Sequence, residues 1–284
     1  MAKFVGAALG SMFAALFPSE CRLCRVPLAN LSRLPVCDEC LAKITPIIGL
    51  RCQVCGDRLP PASLPFISHS HAVCAACEHE PPAFARATSY GAYVDELREL
   101  IHLLKYHQVR SASGVLGRLL VQAAEPLLAS PALGNSESVL VLPVPLHSGK
   151  FRERGFNQAE LIAQAALREL GRVSRRKLKL DTTVLLRRRA TESQVGMSRE
   201  QRRENIRGAF SAARERVAGR QVLLIDDVMT TGATVSECAR VLLAARAKTV
   251  CVVTVARSVR EGLLVASYRE EAAADVALMD ANSC

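Results

Sequence analysis

One stretch decides the fold: Val222-Leu-Leu-Ile-Asp-Asp-Val-Met-Thr-Thr-Gly-Ala-Thr234. Its opening aliphatic run is too short for a helix and is followed by two acids, which predicts a strand buried on both faces of a parallel sheet. Small and hydroxyl-bearing residues come next, and apolar residues then recur at helical spacing between positions 235 and 243. The sequence therefore predicts a strand, a tight loop and a helix in succession.

The loop between this strand and this helix has the features of a phosphate site. Where a loop enters a helix, free backbone N–H groups converge, the helix dipole adds positive potential, and threonine hydroxyls can donate. Asp226 and Asp227 would repel a phosphate, so we expect them to face ribose hydroxyls or a Mg²⁺ ion shared with a diphosphate. A sugar phosphate fits both features, since its phosphate suits the loop and its hydroxyls suit the two acids. The alternative, an ordinary polar helix cap, leaves two acids at the end of a buried strand without a ligand, which is costly.

The stretch resembles the signature for 5-phosphoribosyl 1-diphosphate (PRPP) in type I phosphoribosyltransferases, which is an aliphatic run, two acids and T-T-G-x-T. The resemblance implies an α/β fold, a parallel sheet flanked by helices. It also implies that Asp226 and Asp227 contact the ribose hydroxyls of PRPP, which carries Mg²⁺. The residues implied to hold the 5′-phosphate, called the 230–234 loop below, are Thr230, Thr231, Gly232, Ala233 and Thr234.

Composition favours anionic partners. The chain has 284 residues, half of them hydrophobic, which predicts two domains with a substantial buried core. The net charge of +10 favours nucleotides, diphosphates, nucleic acid or anionic lipid as ligands. Aromatic residues make up only 4% and Trp is absent, which argues against a stacking platform for single-stranded nucleic acid.

Eight of the 11 cysteines form four C-x-x-C pairs near the N-terminus. Twelve residues separate the first two pairs and eighteen the last two, a spacing typical of zinc ribbons. Two such pairs surround one tetrahedral ion, whereas a disulfide framework has no reason to repeat this spacing and needs an export signal. We expect two structural Zn²⁺ ions, with either sequential or cross-braced pairing. The predicted ligands are Cys21, Cys24, Cys37, Cys40, Cys52, Cys55, Cys74 and Cys77. His69 and His71 lie nearby, but no ion needs them.

Residues 1–17 are the only candidate for an export signal. They are too short and too interrupted to span a bilayer, so we expect no transmembrane segment. Leu16-Phe17-Pro18 is a poor cleavage site. We interpret residues 1–17 as an amphipathic segment that docks on the protein or a partner, in preference to a targeting signal. The expected compartment is therefore reducing and cytoplasmic.

The pattern of hydrophobic residues predicts the domain boundaries. A double zinc ribbon is expected at 18–83, closed by Pro81-Pro82, and a phosphoribosyltransferase-like domain at 84–264. Residues 265–284 resemble a helix and a frayed tail. Within the α/β domain, strands are predicted at 87–93, 138–145 and 250–255, and helices at 94–106 and 115–128.

A second anion site is predicted at His147-Ser-Gly-Lys-Phe-Arg-Glu-Arg-Gly-Phe-Asn-Gln158. This basic loop follows a predicted strand and opens a helix at 157–170 with Asn157 as its N-cap. In a parallel topology it shares a sheet edge with the 230–234 loop. The alternative is a solvated basic turn. In the resembling enzymes the matching loop holds the diphosphate, and the candidates here are Lys150, Arg152 and Arg154.

Residues 172–189 contain eight Lys or Arg and one acid, Asp181, and no core pattern resumes before Ile206. We expect this segment to lie outside the core. In the resembling fold the same position is a long flexible hood that closes over PRPP. A surface that contacts a nucleic-acid backbone is the alternative. The hood residues expected to reach the diphosphate are Arg199, Arg202 and Arg203.

The order of the motifs along the chain indicates a particular family of phosphoribosyltransferase-like proteins. The cysteine pairs precede Leu100-Ile-His-Leu-Leu-Lys-Tyr106, then Pro-Val-Pro-Leu and Arg-Glu-Arg-Gly-Phe-Asn-Gln, then Gln194-Val-Gly-Met-Ser-Arg199 and Asn205-Ile-Arg-Gly-Ala-Phe210, then the PRPP signature. This order resembles the ComF family, which is associated with DNA uptake in natural competence. The chain differs from glutamine amidotransferases because it lacks an N-terminal catalytic cysteine.

The resemblance leaves two hypotheses. The first is a protein of the DNA-uptake machinery whose zinc domain and basic surface contact single-stranded DNA or a partner ATPase. In it, the site for PRPP or ribose 5-phosphate is regulatory or vestigial. The second is a phosphoribosyltransferase of nucleotide metabolism, whose acceptor and catalytic residues no motif identifies. We favour the first, because no base-recognising hood is evident between Phe84 and Val139.

Overall fold

A five-stranded parallel sheet lies at the centre of the protein, which is described by a computed structural model over residues 19–28, 32–59, 72–133, 138–171, 177–191 and 196–258. Its strands are β1 (Arg86–Ala92), β2 (Ser138–Pro143), β3 (Lys177–Leu180), β6 (Gln221–Met229) and β7 (Thr249–Arg257). Their order across the sheet is β1-β7-β6-β2-β3. A separate antiparallel pair is formed by β4 (Leu185–Arg187) and β5 (Phe210–Ala212).

The α-helices of the described ranges alternate with these strands as a parallel sheet requires. They are α1 (Asp38–Ala42), α2 (Ala75–His79), α3 (Asp95–Tyr106), α4 (Ala112–Leu128), α5 (Ser148–Arg154), α6 (Gln158–Leu170), α7 (Arg199–Ile206), α8 (Arg214–Val217) and α9 (Ala233–Ala244). No helix in this part of the chain combines the length and the apolarity that a membrane crossing requires.

The central strand is buried on both faces, as its aliphatic run predicts. Successive side chains of a strand point to opposite faces, so Val222 and Leu224 join the core beneath α9 while Leu223 and Ile225 join the core beneath α3, α4 and α6. Each such side chain stabilises the fold by about 1.5–3 kcal/mol when fully buried. The predicted type I phosphoribosyltransferase-like architecture, a parallel sheet flanked by helices, is confirmed.

The two halves of the cysteine-rich region pack against opposite faces of this sheet. We call the sets the first cysteine cluster (Cys21, Cys24, Cys37 and Cys40) and the second cysteine cluster (Cys52, Cys55, Cys74 and Cys77). The buried members of the first cluster belong to the core that contains α3, and those of the second belong to the core that contains α9. The ribbon therefore shares its hydrophobic interior with the α/β domain.

The chain between the two clusters covers the free edge of β1. The N–H of Ile47 donates to the carbonyl of Tyr90 at 2.7 Å, and the N–H of Ala87 donates to the carbonyl of Val54 at 2.7 Å. Gly56 has a φ of +71°, and a Cβ there would lie 2.8 Å from the Ala87 carbonyl oxygen. These bonds satisfy backbone groups that an edge strand would otherwise expose.

Two segments differ from their predicted structure. The basic stretch after β2 forms the helix α5 rather than a loop. The run expected outside the core forms β3, in which Leu178 and Leu180 pack against the core while Lys177 and Lys179 are exposed. In this strand leucines alternate with lysines, and the high charge of the segment obscured that alternation in the sequence. Leu185, at the start of β4, is also buried. The predictions for residues 1–17, His69, His71, 172–176 and 265–284 lie outside the described residues.

Candidate functional site

The predicted strand, loop and helix are present at the C-terminal edge of the sheet. β6 ends at Met229 and α9 begins at Ala233, with Gly232 as its N-cap. Gly232 has a φ of +79°, a left-handed conformation that favours glycine. The hydroxyl of Thr231 accepts a hydrogen bond from the N–H of Ala233 at 3.4 Å. The 230–234 loop thus turns tightly into the positive end of a 12-residue helix.

The two acids of β6 are held by different donors. Asp227 is only 4% exposed; its Oδ1 accepts from the N–H of Val228 at 2.7 Å, and its Oδ2 lies 2.7 Å from Lys105 Nζ. Asp226 Oδ1 accepts from the N–H of Asp227 at 2.9 Å. Because β6 is parallel to its neighbours, both carboxylates lie at the sheet edge beside the 230–234 loop.

Burial and neighbouring charges shift the pKa values of Asp226 and Lys105. Burial raises the pKa of Asp226 to about 8, and the neighbouring Asp227 carboxylate raises it further. Burial alone would lower the pKa of Lys105, but the Asp227 carboxylate holds it above the usual value. At neutral pH the carboxyl group of Asp226 is therefore mostly protonated, and it lies beside the Lys105–Asp227 ion pair.

Lys105 is a site residue that sequence reasoning missed. Its segment was recognised only as part of the family resemblance, without a role for the lysine. The available signal was its position four residues after Ile101, on a helix whose Leu100, Ile101 and Leu104 are buried. A lysine on the edge of such a face is expected to need a buried partner.

The segment predicted to be the hood includes α7 and is called the hood below; it lies next to the 230–234 loop. α7 begins with a capping box in which Gln201 N–H donates to Ser198 Oγ and Ser198 N–H donates to Gln201 Oε1. Arg202 Nη1 donates to Thr230 Oγ1 at 3.1 Å, which places its guanidinium on the loop. Arg203 instead forms an ion pair with Glu80. The side chain of Arg199 lies outside the described residues.

Glu237 connects the hood to α9. Its Oε1 accepts from the N–H of Gly208 at 2.8 Å, and Arg240 donates to both of its carboxylate oxygens at 2.7 Å. Burial alone would raise the pKa of Glu237, but Arg240 and the Gly208 N–H hold it below the usual value. This buried carboxylate fixes the end of the hood over the helix that follows the 230–234 loop.

A cavity of about 1450 Å³ lies between the 230–234 loop, α7 and the second cysteine cluster. Its lining includes Thr230 and Gly232 of the loop, Arg202 of the hood, and Phe84 and Cys74 on the ribbon side. The cavity is thus large enough for a small molecule beside a phosphate on the loop.

Arg257 joins the second cysteine cluster to the sheet edge. Its Nε donates to Asp57 Oδ1 at 3.1 Å, its Nη1 to the carbonyl of Cys55 at 2.8 Å, and its Nη2 lies 3.6 Å from Cys55 Sγ. Arg257 is the register partner of Met229, the last residue before the loop. Arg257 was not predicted as a site residue, although an arginine at the end of an apolar strand is an unusual feature that could have indicated one.

The three predicted diphosphate ligands lie on α5. This helix follows β2, which is the parallel neighbour of β6, so it begins at the same sheet edge as the 230–234 loop. Lys150 and Arg152 are exposed, whereas the guanidinium of Arg154 lies 5.6 Å from the centroid of the Tyr106 ring. Their contact with a diphosphate stays a prediction.

The geometry of both cysteine clusters fits tetrahedral zinc with sequential pairing. The sulfur atoms of each cluster lie within 4.8 Å of one another. The Cys24–Cys37 and Cys55–Cys74 sulfur pairs are 3.6 and 3.7 Å apart, close to the edge of about 3.8 Å that Zn–S bonds of about 2.3 Å give a tetrahedron. Cys21 Sγ and Cys52 Sγ also accept backbone N–H groups at 3.4 and 3.3 Å, which favours thiolates.

Comparisons with known proteins define the class to which this fold and these clusters belong. The model of the double zinc ribbon domain matches residues 12–78, and the model of the phosphoribosyl transferase domain matches residues 157–270. The protein is therefore a double zinc ribbon joined to a phosphoribosyltransferase domain, with two sites for structural zinc.

Curated relatives then identify the family. DNA utilization protein YhgH of Salmonella typhimurium is 35% identical over 233 residues, which cover 82% of this chain and 94% of the relative. Competence protein F of Haemophilus influenzae is 29% identical over 80% of this chain and 91% of its own. Competence protein ComFC of Bacillus subtilis is 29% identical over 73% and 78%. The chain belongs to this family, the ComF family, as the order of its motifs predicts.

Proposed function

We propose that this protein binds PRPP at the edge of its sheet and acts in DNA uptake. The main support for the proposal is that a loop suited to a phosphate lies beside two acidic residues suited to a ribose. The 230–234 loop offers a helix N-terminus, hydroxyls and the Arg202 guanidinium, which suit a 5′-phosphate. Asp226 and Asp227 beside it offer carboxyl oxygens that can accept hydrogen bonds from ribose hydroxyls. The names of the relatives, which refer to competence and DNA utilization, support the cellular role.

The acids fit ribose better than they fit a directly bound metal. Asp226 Oδ1 and both oxygens of Asp227 already contact donors of the protein. Mg²⁺ prefers several oxygen ligands and retains waters. We therefore propose that Mg²⁺ is bound mainly by the diphosphate of PRPP, where it neutralises charge, while the carboxylates orient the sugar.

Titration calorimetry on the zinc-loaded protein tests this proposal. Ribose 5-phosphate and PRPP should both bind, because each has the phosphate and the ribose that the site is proposed to hold. PRPP should bind more tightly when Mg²⁺ is present, whereas Mg²⁺ should change the affinity for ribose 5-phosphate little. Inorganic sulfate serves as the control for nonspecific anion binding. Equal weak binding of all three anions would contradict a built ribose site.

We also propose that single-stranded DNA binds the basic surface of this protein. The net charge is +10, and Lys177 and Lys179 alternate on the exposed side of β3. Arg187 is less suitable, because its guanidinium packs 5.5 Å from the Phe210 ring. Arg189 donates to the carbonyls of Asn205 and Arg207 and so supports the end of α7.

Charge reversal on β3 should weaken DNA binding and reduce its salt dependence. Each lost phosphate contact lowers the slope of log K against log salt by about 0.7 for a single strand, so Lys177→Glu with Lys179→Glu should lower it by about 1.4. Fluorescence anisotropy with a labelled oligothymidylate across a salt series measures both effects. The matched control, Arg246→Glu with Lys248→Glu, reverses two exposed charges just before β7, which is separated from β3 by β6 and β2. Equal losses of DNA affinity in both double variants would contradict a specific DNA-binding role for β3.

A second function, transfer of the phosphoribosyl group to an acceptor, is favoured by one observation. The cavity of about 1450 Å³ extends from the 230–234 loop toward the second cysteine cluster and leaves room beside PRPP. Turnover of labelled PRPP, assayed with and without free bases or DNA, distinguishes an enzyme from a binding protein.

A further inference from the structure

Two exposed aromatic side chains lie on neighbouring helices next to the proposed ribose site. Most large hydrophobic side chains of the described residues are buried, but Tyr106 is 63% exposed and Phe151 is 46% exposed. Tyr106 ends α3, and Phe151 lies in the middle of α5. Exposed apolar groups that are grouped on a surface mark binding sites more often than groups scattered singly.

An arginine of α5 lies over the Tyr106 ring and donates to Gln158 Oε1. The guanidinium of Arg154 lies 5.6 Å from the centroid of the Tyr106 ring. Phe151 and Arg154 are three residues apart on α5, so they occupy one face of that helix. We call Tyr106, Phe151 and Arg154 the aromatic platform. Aromatic rings and a guanidinium are planar groups of the kind on which bases stack.

Neighbouring contacts hold the platform in place. The His102 ring meets Tyr106 edge-on, with centroids 5.2 Å apart and planes at 86°. His102 Nε2 is in turn 2.9 Å from the hydroxyl of Tyr93. The ring of Tyr106 is therefore supported from behind while most of its surface faces solvent. A fixed ring loses less conformational freedom when a ligand binds.

The rim of the platform is basic. Lys150 and Arg152 of α5 are exposed, as is Arg110 just after α3, against the single acid of α5, Glu153. A surface with stacking groups at its centre and cations around it matches the two parts of a nucleic-acid strand, its bases and its phosphates.

We propose that the aromatic platform binds the unpaired bases of single-stranded nucleic acid while the basic rim contacts the phosphates. This inference rests on the DNA binding proposed above and gives it a location. The residue before Tyr106, Lys105, contacts Asp227, so a strand on the platform lies beside the proposed ribose site. The low aromatic content of the chain argued against such a surface, but the content of a whole chain does not describe how its rings are grouped.

An anionic membrane would share the preference for cations but fits this surface less well. α5 has seven residues and a single large apolar side chain, Phe151, on its exposed surface. A membrane-binding helix needs a broad apolar face. The flat stacking groups favour bases, and vesicles become the contrasting arm of the experiment.

The chain lacks tryptophan, so one introduced Trp gives a specific probe of stacking. Tyr106→Trp and Phe151→Trp in the full-length, zinc-loaded protein are titrated with an oligothymidylate, with an abasic strand of equal length and with vesicles of anionic lipid. We expect the oligothymidylate to quench both probes strongly and the abasic strand to leave them nearly unchanged. Leu243→Trp, at an exposed position on α9, is the control and should not respond.

Affinity gives an independent measurement. Tyr106→Ala should weaken binding of the oligothymidylate about tenfold without changing the salt slope, because a neutral ring releases no counterions. Tyr106→Phe should restore most of the affinity. DNA binding that is unaffected by Tyr106→Ala and leaves both probes unquenched would overturn the platform while leaving the proposed DNA binding intact. A blue shift with vesicles and no quenching by DNA would overturn it in favour of lipid, and the absence of DNA binding by the wild type would overturn both proposals.

Discussion

Protein purified without chelators should contain two zinc ions per chain, and loss of either should destabilise the whole protein. A structural zinc site contributes on the order of 10 kcal/mol of folding free energy in small domains. From spacing alone, chelation would be expected to unfold only residues 18–83. Both clusters, however, share hydrophobic cores with the sheet, so we expect the α/β domain to lose stability as well. Elemental analysis and thermal unfolding before and after chelation measure these effects.

The two clusters should differ in their effect on the ligand site. Cys24→Ser and Cys74→Ser are matched variants, since each removes one sulfur ligand from one cluster and should lower the zinc content from two to one. Only the second cluster is joined through Arg257 to the end of β6. Cys74→Ser should therefore weaken PRPP binding and raise hydrogen exchange around the 230–234 loop, whereas Cys24→Ser should affect mainly the first cluster and α3. No zinc in the native protein, or equal exchange patterns in both variants, would contradict this assignment.

The parts of the site that sequence predicted are those encoded by local spacing. The strand, loop and helix around Gly232 follow from one continuous stretch, and the zinc ligands follow from four short repeats. The sequence does not decide which pairs share a zinc ion, because sequential and cross-braced sites use the same eight cysteines. The sequential arrangement is selected by the structure, where the sulfur atoms of each sequential set lie within 4.8 Å of one another and the two sets belong to different cores.

The parts that sequence missed depend on contacts between distant residues. The Lys105–Asp227 ion pair and the hydrogen bond from Arg257 to Cys55, which spans 202 positions, have no local signature. The strand β3 was also missed, because the number of charges in this segment was weighed and the alternation of Lys177 and Lys179 with leucines was not. Lysines and arginines in this chain are therefore assigned reliably only when their burial and partners are known.

The acidic pair is the other place where substitution should have a large effect. Asp226→Ala with Asp227→Ala should weaken PRPP binding at least tenfold, about 1.4 kcal/mol, because hydrogen bonds to charged groups contribute about 1.5–3 kcal/mol each. Removing Asp227 also leaves Lys105 buried without its partner, which costs about 3–5 kcal/mol of stability. The variant Asp227→Asn with Lys105→Met removes both charges together, so it should recover stability while PRPP binding stays weak. Equal PRPP affinity for the wild type and the double alanine variant in calorimetry would remove the ribose assignment.

The loop glycine provides a test that is independent of charge. Gly232→Val should abolish measurable PRPP binding, because a φ of +79° strains a β-branched residue and the added Cβ would lie 3.3 Å from Met229 Cε beside the phosphate position. Gly219→Val is the matched control, since Gly219 has a φ of +71° and open space around its Cβ position in the turn before β6. Both variants should lose similar stability from backbone strain, about 1–3 kcal/mol. If the loop holds the 5′-phosphate, only Gly232→Val loses PRPP and ribose 5-phosphate; if both variants bind these ligands equally well, the phosphate lies elsewhere.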